Sequence, residues 1–138
     1  VGKVDKIKTR DIRNLLSKDI IPVISPIGLD KKSQYLNINA DLVAGKVAES
    51  LNAEKLILLT DVKGIKDDEG NLLSKITSAR AKKILKNGIV KGGMVPKLIA
   101  ALEATKQGVS QAHIIDGRVP HAVMLEILTK EGVGTLIS

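Results

Sequence analysis

Hydrophobic and polar positions follow two different spacings along the chain, and each spacing predicts a type of secondary structure. Over 40–51 the apolar residues recur at helical spacing, so we expect a helix there, with Asn39 as its cap and Asp41 in its first turn. Over 55–60 the apolar run does not alternate, which is typical of a parallel strand covered on both faces. The same reasoning predicts further helices over 9–16, 77–87, 95–107 and 120–128, further strands over 20–24, 34–38, 112–115 and 134–137, a turn region over 26–33 and a hairpin tip over 67–71.

Strands and helices therefore alternate with short connections. This order predicts βαβ crossovers, and hence an α/β fold with a mainly parallel central sheet and helices on both faces. In such sheets ligands bind beyond the carboxyl ends of the strands, where the pairs Thr60-Asp61 and Asp116-Gly117 lie. There is no internal repeat or linker in the 138 residues, so we expect one domain or a large piece of one.

The composition predicts an aliphatic core and argues against a nucleic-acid partner. Hydrophobic residues make up 43% of the chain, but it contains one Tyr and no Phe or Trp. Single-stranded nucleic acid is usually bound on aromatic side chains, which are missing here. The net charge of +7 comes from lysines that are spread along the chain rather than clustered. We therefore predict no nucleic-acid partner.

Cysteine usage and hydropathy bear on the compartment. The chain has no cysteine, which suits a reducing environment. No apolar run approaches the roughly 20 residues that a helix needs to cross a bilayer. Val1 opens a charged segment that does not resemble a signal peptide. We expect a soluble, cytoplasmic protein that does not act at a membrane.

The run Gly92-Gly93-Met94-Val95-Pro96-Lys97 is the most informative motif. A glycine pair that opens a helix leaves backbone N–H groups free, and Lys97 adds positive charge where the helix dipole is already positive. That placement is locally unfavourable unless an anion such as phosphate binds there. The alternative is a solvated surface lysine.

Two further runs carry polar groups at the ends of predicted elements. Thr60-Asp61-Val62-Lys63-Gly64 follows a buried strand and suits the recognition of ribose or phosphate, although an Asp-x-x-Gly turn has the same pattern. Asn37, Asn39 and Asp41 alternate along the entry to a helix. They are either a polar ligand-binding cluster or simply turn formers with a favourable first-turn acid.

The two histidines do not indicate nucleophilic catalysis. His113 lies in an apolar strand and is interpreted as a hydrogen-bonded structural residue, and His121 follows Pro120 in a predicted first turn, where a capping role is expected. Neither forms a nucleophile–histidine pair. No group of carboxylates and histidines has metal-ligand spacing, so no protein metal site is predicted.

Taken together, these runs resemble the acetylglutamate kinases of the amino-acid kinase family. The order and spacing of the runs carry the resemblance, since Asn-Ala-Asp or Thr-Asp-Val alone also occurs in carbamate, aspartate and uridylate kinases. The matching runs are Ile21-Pro-Val-Ile-Ser-Pro-Ile-Gly28, Asn37-Ile-Asn-Ala-Asp41, Leu56-Ile-Leu-Leu-Thr-Asp-Val62, Gly92-Gly-Met-Val-Pro-Lys97 and His113-Ile-Ile-Asp-Gly-Arg-Val-Pro-His121.

The resemblance implies an open αβα sandwich that transfers the γ-phosphoryl of ATP to the side-chain carboxylate of N-acetyl-L-glutamate, in arginine biosynthesis. Lys97 would hold the transferring phosphoryl, Asp41 would orient the catalytic lysines, and Asn37 and Asn39 would bind the acylated amino acid. Mg²⁺ would accompany ATP, bound mainly by phosphate oxygens and water. The residues expected to bind the nucleotide are Thr60, Asp61, Val62, Lys63, Gly64, Ile65, Lys66, Ile89, Val90, Lys91 and Gly92.

The resemblance covers only the C-terminal half of such a kinase. The chain lacks the family's first strand with its Lys-x-Gly-Gly motif, the glycine-rich substrate loop and the arginine that holds the substrate carboxylate. Residues 1–53 are expected to be the remainder of the amino-acid-substrate lobe, and residues 54–138 the nucleotide-binding lobe. We expect this chain alone to bind ATP and to phosphorylate little or nothing, and the complete protein to be a homo-oligomer.

Three questions stay open at this point. The chain could belong to a sister kinase that acts on another amino acid or on carbamate. It could also be a nucleotide-binding or regulatory module without catalysis. Arginine-sensitive members of the family bind the effector near their C-terminal segment, which here includes His121 and Glu131.

Overall fold

The computed structural model describes residues 2–129 and 132–138. Five helices and six strands are interspersed along this part of the chain, which confirms the α/β fold class. In chain order they are α1 (Thr9–Leu16), β1 (Ile27–Leu29), β2 (Tyr35–Asn37), α2 (Ala40–Leu51), β3 (Lys55–Thr60), β4 (Lys75–Ile76), α3 (Ser78–Lys86), α4 (Met94–Lys106), β5 (Gln111–Asp116), α5 (Ala122–Leu128) and β6 (Gly134–Ile137).

Four strands form the central sheet, in the order β3-β5-β6-β4. β3 pairs with β5 and β4 with β6 in parallel, while β5 and β6 are antiparallel, so the predicted mainly parallel sheet is confirmed. Thr60 is the register partner of Asp116. The carboxyl ends of β3 and β5 therefore lie side by side at one edge of the sheet. The short strands β1 and β2 form a separate antiparallel pair.

Helices cover both faces of the sheet, as the sequence predicts. On one face, alternate residues of the strands pack against buried residues of α2, α3 and α4 in one apolar cluster. On the other face, the His113 side chain of β5 contacts Glu126 of α5. The strand residues of the first face that share the cluster with the helices are Leu56, Leu58, Ile76, Ala112, Ile114 and Ile137.

Small residues bring α2 and α4 into close contact. A Cβ atom placed on Gly45 of α2 would lie 3.3 Å from the carbonyl oxygen of Ala100 and 3.4 Å from its Cβ atom. Ala100, Ala101 and Ala104 of α4 are buried with almost no exposed surface. The aliphatic core predicted from the composition is therefore confirmed, and its small members set the distance between the two helices.

Local capping and turn signals explain where several elements begin and end. Asn39 Oδ1 accepts a hydrogen bond from the Leu42 N–H (3.1 Å), so Asn39 caps α2 as predicted. Thr77 caps α3 in the same way through the Arg80 N–H (3.3 Å). The hairpin tip over 67–71 is also confirmed, because Asp67 Oδ1 accepts the Asn71 N–H (2.8 Å) at its base.

The strand predicted over 20–24 is wrong. This segment pairs with no strand in the described residues, and Ile21 and Val23 are 86% and 97% exposed. An apolar run forms a strand only if a neighbour completes its hydrogen bonds, and Pro22 also removes one donor. The structure adds two short strands that were not predicted, β1 inside the expected turn region and the two-residue β4.

α5 begins at Ala122, later than predicted, because His121 adopts a left-handed conformation with φ of 59°. His121 occupies the N-cap position, but its side chain makes no capping hydrogen bond, so the predicted capping role is wrong.

None of the helices in the described part of the chain combines the length and apolarity needed to cross a membrane.

We predict that Leu98 anchors the start of α4. Leu98 follows Lys97 directly and is fully buried in the apolar cluster. The substitution Leu98→Ala should lower the free energy of unfolding by about 2–5 kcal/mol, because it leaves a cavity in a close-packed core. Urea unfolding followed by circular dichroism measures this loss. The matched control Leu128→Ala, at a side chain that is 73% exposed, should change it by less than about 0.5 kcal/mol. Equal effects of the two substitutions would contradict the assignment.

Candidate active site

The amino ends of α2 and α4 are joined by an ion pair. Lys97 Nζ lies 2.8 Å from Asp41 Oδ1, and the two side chains are 18% and 19% exposed. Asp41 is favourable at the positive end of its own helix, and it offsets the unfavourable position of Lys97 at the start of α4. The ammonium group therefore lies at the junction of the two helices, and two of its three N–H donors have no acceptor in the described part of the chain.

The turn before α4 differs in part from the sequence prediction. The Met94 and Val95 N–H groups donate to the carbonyl oxygens of Lys91 (3.3 Å) and Gly92 (3.2 Å), so these two donors are not free. The N–H groups of Gly92 and Gly93 have no acceptor among residues 2–129 and 132–138. A Cβ atom on either glycine would meet no atom within 4 Å. The open donors at this helix end are thus fewer than predicted, and they belong to the glycine pair.

The segment after β3 turns sharply against β6. Gly64 has a φ of +138°, and a Cβ atom there would lie 2.8 Å from Thr135 Oγ1. The same hydroxyl accepts a hydrogen bond from the Ile65 N–H (2.9 Å), and the Ile65 side chain is buried. Glycine is required at position 64 because both its backbone conformation and its close approach to Thr135 exclude a side chain. This contact fixes the path of residues 61–66.

Two adjoining cavities bring most of the predicted nucleotide residues together. The first, of about 460 Å³, contains residues 61–67 with Ile89, Val90, Met94 and Arg118 in its wall. The second, of about 440 Å³, is lined by Thr60, Lys97, Leu59 and Gly117, and again by Asp61 and Arg118. Asp61 and Arg118 therefore stand where the two cavities meet. The turn after β3, the segment 89–90 and Lys97 therefore surround two cavities that share Asp61 and Arg118, and we call these two cavities the recess.

Other predicted residues lie outside the walls of these two cavities. Lys91 and Gly92 belong to the turn before α4 and line neither of them. Asn37 is exposed at the end of β2, and the side-chain Oδ1 of Asn39 is used in capping α2. Asp41 reaches the recess only through its contact with Lys97. The proposed roles of these residues stay predictions.

Arg118 was not predicted from the sequence as a site residue. Asp116 Oδ1 accepts hydrogen bonds from Arg118 Nε (2.9 Å) and from the Arg118 backbone N–H (3.0 Å), and Oδ2 accepts one from Nη2 (2.8 Å). These bonds lower the pKa of Asp116 to about 2, so the carboxylate stays charged at any ordinary pH. The available signal was an Asp-Gly-Arg sequence at the carboxyl end of a strand that neighbours β3.

His113 lies away from this recess. Its Nδ1 is 2.6 Å from Glu126 Oε1, and Glu126 Oε2 accepts the Val133 N–H (2.6 Å). The prediction of a hydrogen-bonded structural histidine is confirmed. His113 Nε2 is buried without a partner among the described residues. Glu131, the other position considered near an effector site, lies outside the described residues.

Sequence comparison places residues 1–116 in a known family, described as the amino acid kinase family. The whole chain is 59% identical to an acetylglutamate kinase of Alcanivorax borkumensis and 54% identical to one of Acinetobacter baumannii. In each case the 138 residues cover 46% of the relative's own length. The chain therefore spans about half the length of the curated relatives that it matches.

Structural comparison agrees with the sequence match. An N-acetylglutamate synthase from Neisseria gonorrhoeae, solved with coenzyme A and L-arginine, superimposes over the full chain with a TM-score of 0.92 at 27% identity. The match covers 32% of that larger protein. Because the family match covers most of the chain, and the fold and the motif order agree with it, the chain belongs to the amino acid kinase family.

Proposed function

We propose that this chain is the nucleotide-binding part of an acetylglutamate kinase, which transfers the γ-phosphoryl of ATP to the side-chain carboxylate of N-acetyl-L-glutamate. The observation that carries the proposal is the place of Lys97. Its ammonium lies 2.8 Å from Asp41, and the residue lines the same cavity as Thr60 and Asp61. A solvated surface lysine, the alternative from the sequence, would extend into water instead.

The reaction requires positioning and charge stabilisation rather than a base. A carboxylate acceptor is already ionised near neutral pH, so no group has to remove a proton from it. Phosphoryl transfer spreads negative charge over the oxygens of the moving group, and fixed cationic donors stabilise that charge. Lys97 is the group that supplies this charge here. Asp41 holds its ammonium in place, and Asn37 and Asn39 are proposed to bind the acceptor.

The first cavity suits the base and ribose of the nucleotide. Ile89, Val90 and Met94 give it an apolar wall, while Asp61 and the backbone of residues 62–66 give it polar groups at the other side. Such a mixture of apolar surface and a few polar groups is typical of ligand sites. The nucleotide would then extend from this cavity toward Lys97.

Mg²⁺ is proposed to arrive with ATP as part of the substrate. In the described part of the chain, no three His, Asp or Glu side chains come close enough together to hold a metal ion. The proposed ion would therefore take its ligands from phosphate oxygens and water. The protein's share in binding the metal complex would be the lysine charges around it.

Catalysis is proposed to need residues that this chain does not carry. The Lys-x-Gly-Gly strand, the glycine-rich substrate loop and the carboxylate-binding arginine of the family are absent from the 138 residues. The complete protein is proposed to be a cytoplasmic homo-oligomer. A sister kinase with another acceptor, or a nucleotide-binding module without catalysis, are the alternative functions.

We predict that Lys97→Ala weakens ATP binding about tenfold or more, because a charge-assisted contact to the terminal phosphate is lost. Binding of ADP, which lacks that phosphate, should change much less. Isothermal titration of the chain with ATP and with ADP measures both effects. Lys106→Ala, at the other end of α4, is the matched control and should leave both affinities unchanged. An ATP affinity unaltered by Lys97→Ala would contradict the proposed role.

We also predict that the 138-residue chain alone turns over about a thousandfold or more slowly than the acetylglutamate kinase of Alcanivorax borkumensis. Loss of one stabilising group commonly costs a factor of 100–1,000, and at least two such groups are missing. The acyl phosphate can be trapped with hydroxylamine and measured as the hydroxamate. A normal rate for the isolated chain would contradict this prediction.

Titration separates the alternative functions. A module without catalysis should bind ATP with the same affinity in the presence and absence of N-acetyl-L-glutamate, since it has no second ligand to couple. A sister kinase should respond to another amino acid or to carbamate instead. A response to N-acetyl-L-glutamate alone supports the proposed function.

A further inference from the structure

Arg118 stands at the junction of the two cavities, on the turn that follows β5. Its side chain is 63% exposed, and it forms part of the wall of both cavities. On one side lies the apolar wall of Ile89, Val90 and Met94, and on the other lies Lys97. Nothing in the proposed function so far assigns a role to this arginine.

The turn that carries Arg118 is fixed to the end of β3. The Gly117 N–H donates a hydrogen bond to the Thr60 carbonyl oxygen (2.8 Å). A Cβ atom on Gly117 would lie 3.1 Å from Leu59 Cδ2 and 3.4 Å from that same oxygen. The turn therefore lies directly against the segment that leads into Asp61. Arg118 has a defined position relative to the recess rather than that of a mobile surface side chain.

The guanidinium group is held by one edge and open at the others. Nε and Nη2 each donate one hydrogen bond to the carboxylate of Asp116, which is only 5% exposed. A guanidinium carries five N–H donors in one plane, so three have no acceptor among residues 2–129 and 132–138. These three point away from Asp116. A planar fork of this kind matches the oxygen geometry of a phosphate.

The charges around Arg118 leave it available to an anion. Asp116 neutralises one positive charge, and Asp61 is a second acid close enough to stabilise the guanidinium. The walls of the two cavities carry four cations, Lys63, Lys66, Lys97 and Arg118, and two acids, Asp61 and Asp67. Asp41 and Asp116, which pair with Lys97 and Arg118, are not among the wall residues. The side chains that form the walls are therefore positive on balance, which favours a polyphosphate ligand.

We propose that Arg118 binds the phosphate chain of the nucleotide between the base-binding cavity and Lys97, and that Asp116 is the positioning residue that holds its guanidinium. This inference rests on the proposed function, because it assigns a further residue to the same nucleotide site. The alternative is that the Asp116–Arg118 pair only stabilises its own turn.

Isothermal titration of the chain with Mg-ATP, Mg-ADP and adenosine tests the proposal. Arg118→Ala should weaken ATP and ADP binding about tenfold or more and leave adenosine binding within about twofold, because adenosine has no phosphate. Arg118→Lys keeps the charge but not the fork and should lose less. Arg80→Ala, at an exposed arginine of α3 that lines neither cavity, is the matched control and should bind all three ligands like the unsubstituted chain.

The positioning role of Asp116 is tested by Asp116→Asn. The amide cannot accept both guanidinium bonds, so ATP affinity should fall to a value between those of the unsubstituted chain and Arg118→Ala. Circular dichroism checks that this buried substitution leaves the fold intact. If it does not, the exposed Arg118 variants decide the question alone, since their side chains can be changed without disturbing the core.

The outcomes separate this inference from the proposed function. If the unsubstituted chain binds ATP and Arg118→Ala binds it equally well, the inference is overturned while the proposed function stands. An equal loss of ATP and adenosine binding also overturns it, since Arg118 would then support the shape of the site rather than bind phosphate. If the unsubstituted chain binds none of the three ligands, the proposed function fails, and the inference fails with it.

Discussion

The close packing of α2 on α4 is the constraint on which the recess depends. Gly45 and Ala100 let the helices approach, and their amino ends then place Asp41 against Lys97. Both side chains are largely removed from water, so their attraction is stronger than that of a surface pair. A phosphate near Lys97 would compete with Asp41 for the same ammonium. The pair therefore keeps the cation in place before a ligand arrives, without using all of its donors.

Most of the secondary structure could be predicted because its signals are local. Asn39 caps α2, Thr77 caps α3, and Gly88 and Gly108 follow the ends of α3 and α4. The residues that set these helix boundaries therefore lie within a few positions of the boundaries in the sequence. The segment 20–24 shows the limit of such reasoning. Its apolar run has the composition of a buried strand, but burial and pairing depend on a neighbour that no local pattern reveals.

The candidate site could be predicted in part for a similar reason. The residues after a parallel strand must lie at its carboxyl end, which is why 61–66 line a cavity as expected. The number of free N–H donors at the start of α4 was overestimated. Hydrogen bonds to the carbonyl oxygens of Lys91 and Gly92, each three residues earlier in the chain, occupy two of these donors. Arg118 was missed because an arginine in an Asp-Gly-Arg turn has the sequence of an ordinary surface loop. Its position follows from the register of Asp116 with Thr60 and from the hydrogen bond between Gly117 and Thr60, which appear only in the fold.

The buried core is unevenly distributed, and this bears on how the proposed reaction is divided along the chain. Ile38 and Ala48 are the only buried hydrophobic residues in the described part of 2–53, whereas 17 others lie in 54–138. Every residue in the walls of the two cavities comes from 59–118. Under the proposed function, the residues that bind the nucleotide therefore lie in the part of the chain with the larger buried core. The acceptor side, with Asn37 exposed on β2, depends on surfaces that the curated relatives' additional length would complete. Under the proposed function, nucleotide binding is therefore separable from phosphoryl transfer, because this chain carries the groups for the first and only part of the groups for the second.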